Sequence, residues 1–395
     1  MEKTSISQNI KTLIEILFVS MRLGLTSFGG PVAHLGYFHE EYIRRRKWLD
    51  EKGYADLVAL CQFLPGPASS QVGIGIGVIR GGILGGITSF IGFTLPSVII
   101  LILFALMLRE FEIMDSGWIH GLKIVAVAVV AHAIMGMAVK LTPDLKRKAI
   151  ALITLGTILL WQTAFTQVGV ILAAALIGFI LFKNQESEQH SSLPFPLSKK
   201  FAFSCIMLFF GLLVLLPLLR EFTSIEWIAI IDSFYRTGAL VFGGGHVVLP
   251  LLEREFVPTG WLSEQAFLAG YGAAQAVPGP LFTFAAYIGA VIGGIKGGLL
   301  ATFAIFLPAF LLIFGALPFW DSLRRNPKIR GALMGVNAAV VGILIAAFYQ
   351  PIFTSSINAP IDFALAALLF SLLSYWKLPP WIVVVIGSIG GLFIT

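Results

Sequence analysis

Gln62-Phe63-Leu64-Pro65-Gly66-Pro67 returns further along the chain as Gln275-Ala276-Val277-Pro278-Gly279-Pro280 (278 − 65 = 213), each copy inside an apolar segment. Pro-Gly-Pro interrupts a helix: two amide donors are missing, and each ring obstructs the turn before it. In lipid, an interrupted backbone persists only where protein or a water-filled cavity covers it. Two interruptions at matching places in two halves point to a site at the interface between repeats.

The match extends to both sides. Phe28-Gly29-Gly30 pairs with Phe242-Gly243-Gly244 (242 − 28 = 214), and Trp48-Leu49 pairs with Trp261-Leu262. Gly81-Gly82, Gly85-Gly86 and Leu95-Pro96 pair with Gly293-Gly294, Gly297-Gly298 and Leu307-Pro308. The chain therefore reads as two homologous halves, 1–182 and 220–395. Between them lie a polar linker, 183–200 (KNQESEQHSSLPFPLSKK), and one apolar helix without a counterpart, 201–219.

Of 395 residues, 57% are hydrophobic and only 12% charged, and the mean hydropathy is +0.90. That composition leaves no room for a large soluble domain and gives an all-α polytopic membrane protein. The net charge of +6 sits in short loops, where it orients the chain in the bilayer and does not suggest nucleic acid. Cys61 and Cys205 lie in apolar surroundings without a partner motif, so neither a disulfide nor a metal site is expected. The first apolar segment carries Glu15 and Arg22 and lacks a small-residue cleavage site, which argues against a signal peptide.

Loop charges set the orientation. Arg44-Arg45-Arg46-Lys47 is basic, and its counterpart Pro258–Trp261 has no Lys or Arg. Arg324, Arg325, Lys328 and Arg330 face an equivalent stretch, Glu112–His120, that has none. Lys140, Lys146, Arg147 and Lys148 likewise match a basic-poor stretch, Tyr349–Asp362. By the positive-inside rule the halves are inverted, and the unpaired helix produces the inversion. Met1 is then cytoplasmic and Thr395 outside. Arg44–Lys47 and Arg80 fall on one side, so Gly53–Leu64 and Ala68–Ile79 form a re-entrant hairpin with Pro65-Gly66-Pro67 at its tip. Spans follow at Leu84–Leu108, Ile119–Val139, Ala149–Thr163 and Gln167–Phe182. The opening segment, Leu13–Tyr42, is expected to be a second hairpin broken at Gly29-Gly30-Pro31.

Two re-entrant tips meeting at mid-membrane would present unpaired amides and positive dipole ends to an anion. Ser69, Ser70 and Gln71 follow the first tip; Phe282, Thr283 and Phe284 follow the second. The first tip is therefore expected to hold more of the ligand's hydrogen bonds. Arg22 and Arg236, each six residues before Phe-Gly-Gly, read either as donor forks for an oxyanion or as snorkelling surface residues. The Phe-Gly-Gly pairs (Phe28, Gly29, Gly30, Gly243 and Gly244) permit close approach of backbone or ligand. Gln62 and Gln275 read equally as ligand donors and as braces for the tips. His34 and His246 do not align, and a structural role outweighs a proton relay. Glu40, Glu41, Glu253 and Glu255 are expected at the solvated interface. No phosphate loop, metal spacing or nucleophile motif occurs, so neither an enzyme nor a cofactor is expected.

Phe28-Gly29-Gly30-Pro31, the stretch to Trp48-Leu49, Gln62–Pro67 and the later Gly-Gly pairs resemble the chromate ion transporter family in its long, two-domain form. The resemblance covers nearly the whole chain. It implies export of chromate, with sulfate as the look-alike, across the cell membrane, giving chromate resistance. Gly245 stands where the first half has Pro31, and the second half lacks the Ser-Ser-Gln run. Expected partners are a small inorganic oxyanion and the lipid bilayer; a homodimer is compatible with the sequence. Two other functions stay open: a passive anion channel, and a lipid-phosphate phosphatase built from inverted repeats. The second would need an acid or nucleophile cluster, and no intramembrane carboxylate accompanies Ser69 and Ser70.

Overall fold

The computed structural model describes residues 2–28, 30–111, 117–161, 164–182, 197–223, 225–242, 247–320 and 327–394. Gly29, Gly243, Gly244, His246 and most of the linker, 183–196, lie outside these residues. Every regular element among the described residues is helical.

The first half runs through α1 (Glu2–Thr26), α2 (Gly30–Phe38, widening into a π turn at His39–Arg45), α3 (Glu51–Phe63), α4 (Ala68–Phe111), α5 (Gly117–Leu141), α6 (Leu145–Leu160) and α7 (Ala164–Leu181). α8 (Lys199–Phe222) stands between the halves. The second half follows with α9 (Glu226–Leu240), α10 (Val248–Phe256), α11 (Glu264–Ala276) and α12 (Phe284–Ala316, led by a 3-10 turn at Leu281–Thr283). It closes with α13 (Pro327–Ala347), α14 (Pro360–Ser374) and α15 (Pro380–Ile394).

Matched residues produce matched local structure. Asp50 caps α3 by accepting from the Gly53 amide (3.0 Å), and Ser263 caps α11 by accepting from the Ala266 amide (3.2 Å). Both helices end where Pro-Gly-Pro begins, and the tip glycines take φ of 108° (Gly66) and 106° (Gly279), which an L side chain rarely adopts. α4 turns at Gly81 (φ −140°, ψ 23°) and Gly82 (φ 63°, ψ −159°). α12 turns at Gly293 (φ −134°, ψ 25°) and Gly294 (φ 62°, ψ −155°). Each is thus a helical hairpin of two limbs. Gly77 and Gly85 touch backbone to backbone across the first hairpin, so only glycine fits at either position.

The opening segment also doubles back. Ser20 Oγ meets Tyr42 Oη at 3.0 Å, and Arg46 donates to Glu15 Oε1 at 2.9 Å. Arg80 stands 3.5 Å from the other Glu15 oxygen, and Arg46 and Arg80 both lie over the Trp48 ring. The chain therefore leaves Arg46, reaches the Pro65-Gly66-Pro67 tip and returns to Arg80 beside its starting point.

Packing ties the halves together. The paired hairpins α4 and α12 lie against each other. α5 packs on α14 and α15, and the equivalent α13 packs on α6 and α7, so each half's closing helices rest on the other half's long helix. Five helical stretches among the described residues are long and apolar enough to cross a membrane: Ala68–Leu108, Gly117–Leu141, Lys199–Phe222, Leu281–Phe319 and Lys328–Ser356. α8 leaves Phe203, Met207, Phe210, Val214 and Leu218 exposed, a surface that lipid and not water would cover. The protein is a multi-pass membrane protein. α3 and α11, at 13 residues each, reach about 20 Å, short of the ~30 Å hydrocarbon core.

Candidate functional site

Each tip docks on the other half. The Gly66 amide donates to the Val241 carbonyl at 2.7 Å, and the Gly279 amide donates to the Ser27 carbonyl at 3.0 Å. Val241 and Ser27 are equivalent positions (241 − 27 = 214), each immediately before a Phe-Gly-Gly. Gly279 also packs on Ser97 and Phe93 of α4, as Gly66 packs on Ala309 of α12. Gln71 braces the first tip by donating from Nε2 to the Pro65 carbonyl at 2.8 Å.

The side chains after the two tips are spent differently. Thr283 turns its hydroxyl onto the Pro280 carbonyl at 2.7 Å, between buried Phe282 and Phe284. Ser69, Ser70 and Gln71 are buried as well, but Ser70 Oγ and Gln71 Oε1 have no hydrogen-bond partner. Ser69 Oγ lies 3.3 Å from His34 Nδ1. Of the two matched glutamines, Gln62 is exposed, whereas Gln275 is half-buried with Nε2 unpartnered. Phe28 is half-buried against Trp381, with ring centroids 6.0 Å apart. Gly30 opens α2 with a φ of 77° and open space where a Cβ would stand.

The two matched arginines have different surroundings. Arg236 Nη2 donates to Asp232 Oδ2 at 2.7 Å and to Glu255 Oε2 at 3.0 Å, and Arg220 at the end of α8 joins the same carboxylates. Its charge is met from within the protein. Arg22 is exposed. The sequence places Glu41 and Glu255 at the solvated interface, but both are held in ion pairs instead. Glu41 is buried between Arg45 (3.1 Å) and Arg46 (2.9 Å), and Glu255 belongs to the Arg220–Asp232–Arg236 cluster. Asp232 was legible in principle: it precedes Arg236 by four residues, on the same helical face. Arg220 was not, because nothing local links α8 to α9.

The chromate transporter family matches residues 14–179 and matches again over 228–392. The chain belongs to the chromate transporter family. The two matched stretches of this transporter begin 214 residues apart (228 − 14 = 214), the offset of the Phe-Gly-Gly pairs. It is 28% identical to a probable chromate transport protein of Synechococcus elongatus, covering 94% of this chain and 93% of that one. It is also 28% identical to a chromate transport protein of Pseudomonas aeruginosa, over 82% of this chain and 77% of the relative. An uncharacterized transporter of Methanocaldococcus jannaschii is 24% identical over 93% and 90% of the two chains. No solved structure matches this transporter.

Away from the tips, a cavity of about 360 Å³ opens among Ile158, Glu253, Arg254, Glu264, Gln350 and Ser355. Burial pushes the Glu253 carboxyl up to about 7, against the pull of Arg254.

Proposed function

We propose that the protein carries chromate, or a tetrahedral oxyanion of the same shape such as sulfate, outward across the cell membrane, and that this export gives chromate resistance. The observation that carries the reading is the chromate transporter family match over both halves, whose Pro-Gly-Pro tips dock on Val241 and Ser27 of the opposite half. The substrate comes from the names of the relatives; the site comes from the tips. Ser70 and the amides at the start of α4 offer donors to an anion, Ser69 stands beside them against His34, and Gln71 and Thr283 shape the two tips around it. Pro65, Gly66, Pro67, Pro278, Gly279 and Pro280 hold the backbone open at that place, and Gln275 adds an amide from the second half.

The halves are inverted in this reading, with the N-terminus cytoplasmic and α3 with the first limb of α4 forming a re-entrant loop. Short helices that go in and come back beside Arg46 and Arg80 support it. The motive force is a gradient, the membrane potential or a partner protein.

The test is uptake of labelled chromate and of labelled sulfate into inside-out vesicles, with and without an imposed pH gradient. Saturable chromate uptake above that of vesicles lacking the protein is expected. Uptake equal to the control for both anions would refute the reading.

A further inference from the structure

Buried polar atoms in folded proteins are almost always hydrogen-bonded, and each one left alone costs about 1–3 kcal/mol. Here four of them lie on first-half residues at, or a few positions along the chain from, those that surround the entering second tip. They are Ser27 Oγ, His34 Nε2, Ser70 Oγ and Thr94 Oγ1, on side chains that are at most 2% exposed. Contacts join the residues of three of them, and Ser70 follows Ser69 in the first turn of α4. The Ser27 carbonyl receives the Gly279 amide, and a Cβ on Gly279 would stand 2.9 Å from Ser97 Oγ. Ser97 in turn donates to the Thr94 carbonyl at 2.9 Å. The His34 ring stands edge-on to Phe93, with centroids 5.4 Å apart, and its Nδ1 meets Ser69. The Ser27 backbone lies near the imidazole but completes no hydrogen bond to Nε2.

We infer that the oxyanion is held by neutral donors of the first half, with His34 and Ser70 as ligands and Ser69 as the residue that positions His34, under the Gly279 tip. The inference rests on the oxyanion reading above and names the site for it. The chemistry follows from the donor inventory. If the Ser69 hydroxyl donates to Nδ1, the ring proton is fixed on Nε2, which then becomes a donor without a partner. Ser70 adds a hydroxyl, and the first amides of α4 add their free N–H groups and the positive end of the helix. No charged side chain takes part in this chain of contacts. Of the two arginines that the sequence matches, Arg236 is already held by Asp232 and Glu255. A carrier must release its ion as well as bind it. Donors without a counter-charge suit that need better than a guanidinium fork.

The test uses the purified full-length protein, with labelled sulfate binding followed by equilibrium dialysis and chromate as competitor. His34→Ala and Ser70→Ala are each expected to weaken binding about tenfold or more, and by more than Thr283→Ala does. His34→Gln, which keeps an amide donor, should recover most of the loss. Wild-type protein that binds neither anion overturns the oxyanion reading itself. Wild-type binding that survives unchanged in both alanine variants overturns only the neutral-donor site. Should His34→Ala fail to fold, the wild-type protein still decides. The 15N imidazole signal of His34, assigned by its absence from His34→Gln, must shift saturably with sulfate. An unmoved signal at saturation overturns the inference.

Discussion

Asp232 and Arg236 lie one helical turn apart on α9, with Asp232 almost fully buried and Glu255 of α10 completing the contact. At this scale the two matched arginines have different duties. Arg236 ties α9 to α10 and, through the shared carboxylates, to Arg220 of α8. Arg22 is exposed, and the carboxylate its charge acts on, Glu41, is already held by Arg45 and Arg46. Replacing Asp232 by Asn leaves two guanidiniums facing one carboxylate. We expect a loss near the low end of the ~3–5 kcal/mol seen when a buried pair is broken, because both arginines keep some solvent contact. Arg236→Lys should also lower the thermal unfolding midpoint, since one ammonium cannot reproduce the spread of donors, while Arg22→Lys should leave it unchanged. Thermal unfolding in detergent measures all three. A transport defect in Arg22→Lys at full stability would return Arg22 to the anion's shell.

At the scale of elements, the Pro-Gly-Pro breaks do more than end helices. Each hands its glycine amide to the other half, in a conformation with φ near 107° that only glycine holds without strain. Gly66→Ala and Gly279→Ala should each cost about 1–3 kcal/mol in backbone strain. The second should cost more: its new Cβ would stand 2.9 Å from Ser97 Oγ, against 3.2 Å from the flexible Gln71 amide in the first. Unfolding midpoints that are equal to wild type would show that the tips are not held as described. These elements were readable in advance because helix breakers, caps and glycine pairs act locally. Gly82 and Gly294 turn the chain wherever the sequence puts them. The partners of the tips were not readable. Nothing near Gly66 names Val241, and His34 was set aside because it has no aligned twin. In the site proposed above His34 has no aligned counterpart, so a search for symmetry passes over it.

On the scale of the whole molecule, the two halves share one offset and one set of turns, and their closing helices rest on each other's long helices. The mirrored loop charges predict that the ends of the chain face opposite sides, with Met1 inside. Reporter fusions at both termini check this, and two signals on the same side would remove the inversion. A carrier built from inverted halves exposes one site alternately to each side, whereas a channel opens to both at once. The most direct measurement is counterflow in liposomes reconstituted with the purified protein. Liposomes loaded with unlabelled sulfate or chromate are diluted into a trace of labelled chromate. The account predicts a transient accumulation of label above equilibrium that depends on the internal anion and saturates with it. Label that enters at the same rate with empty liposomes, with no overshoot, would contradict it.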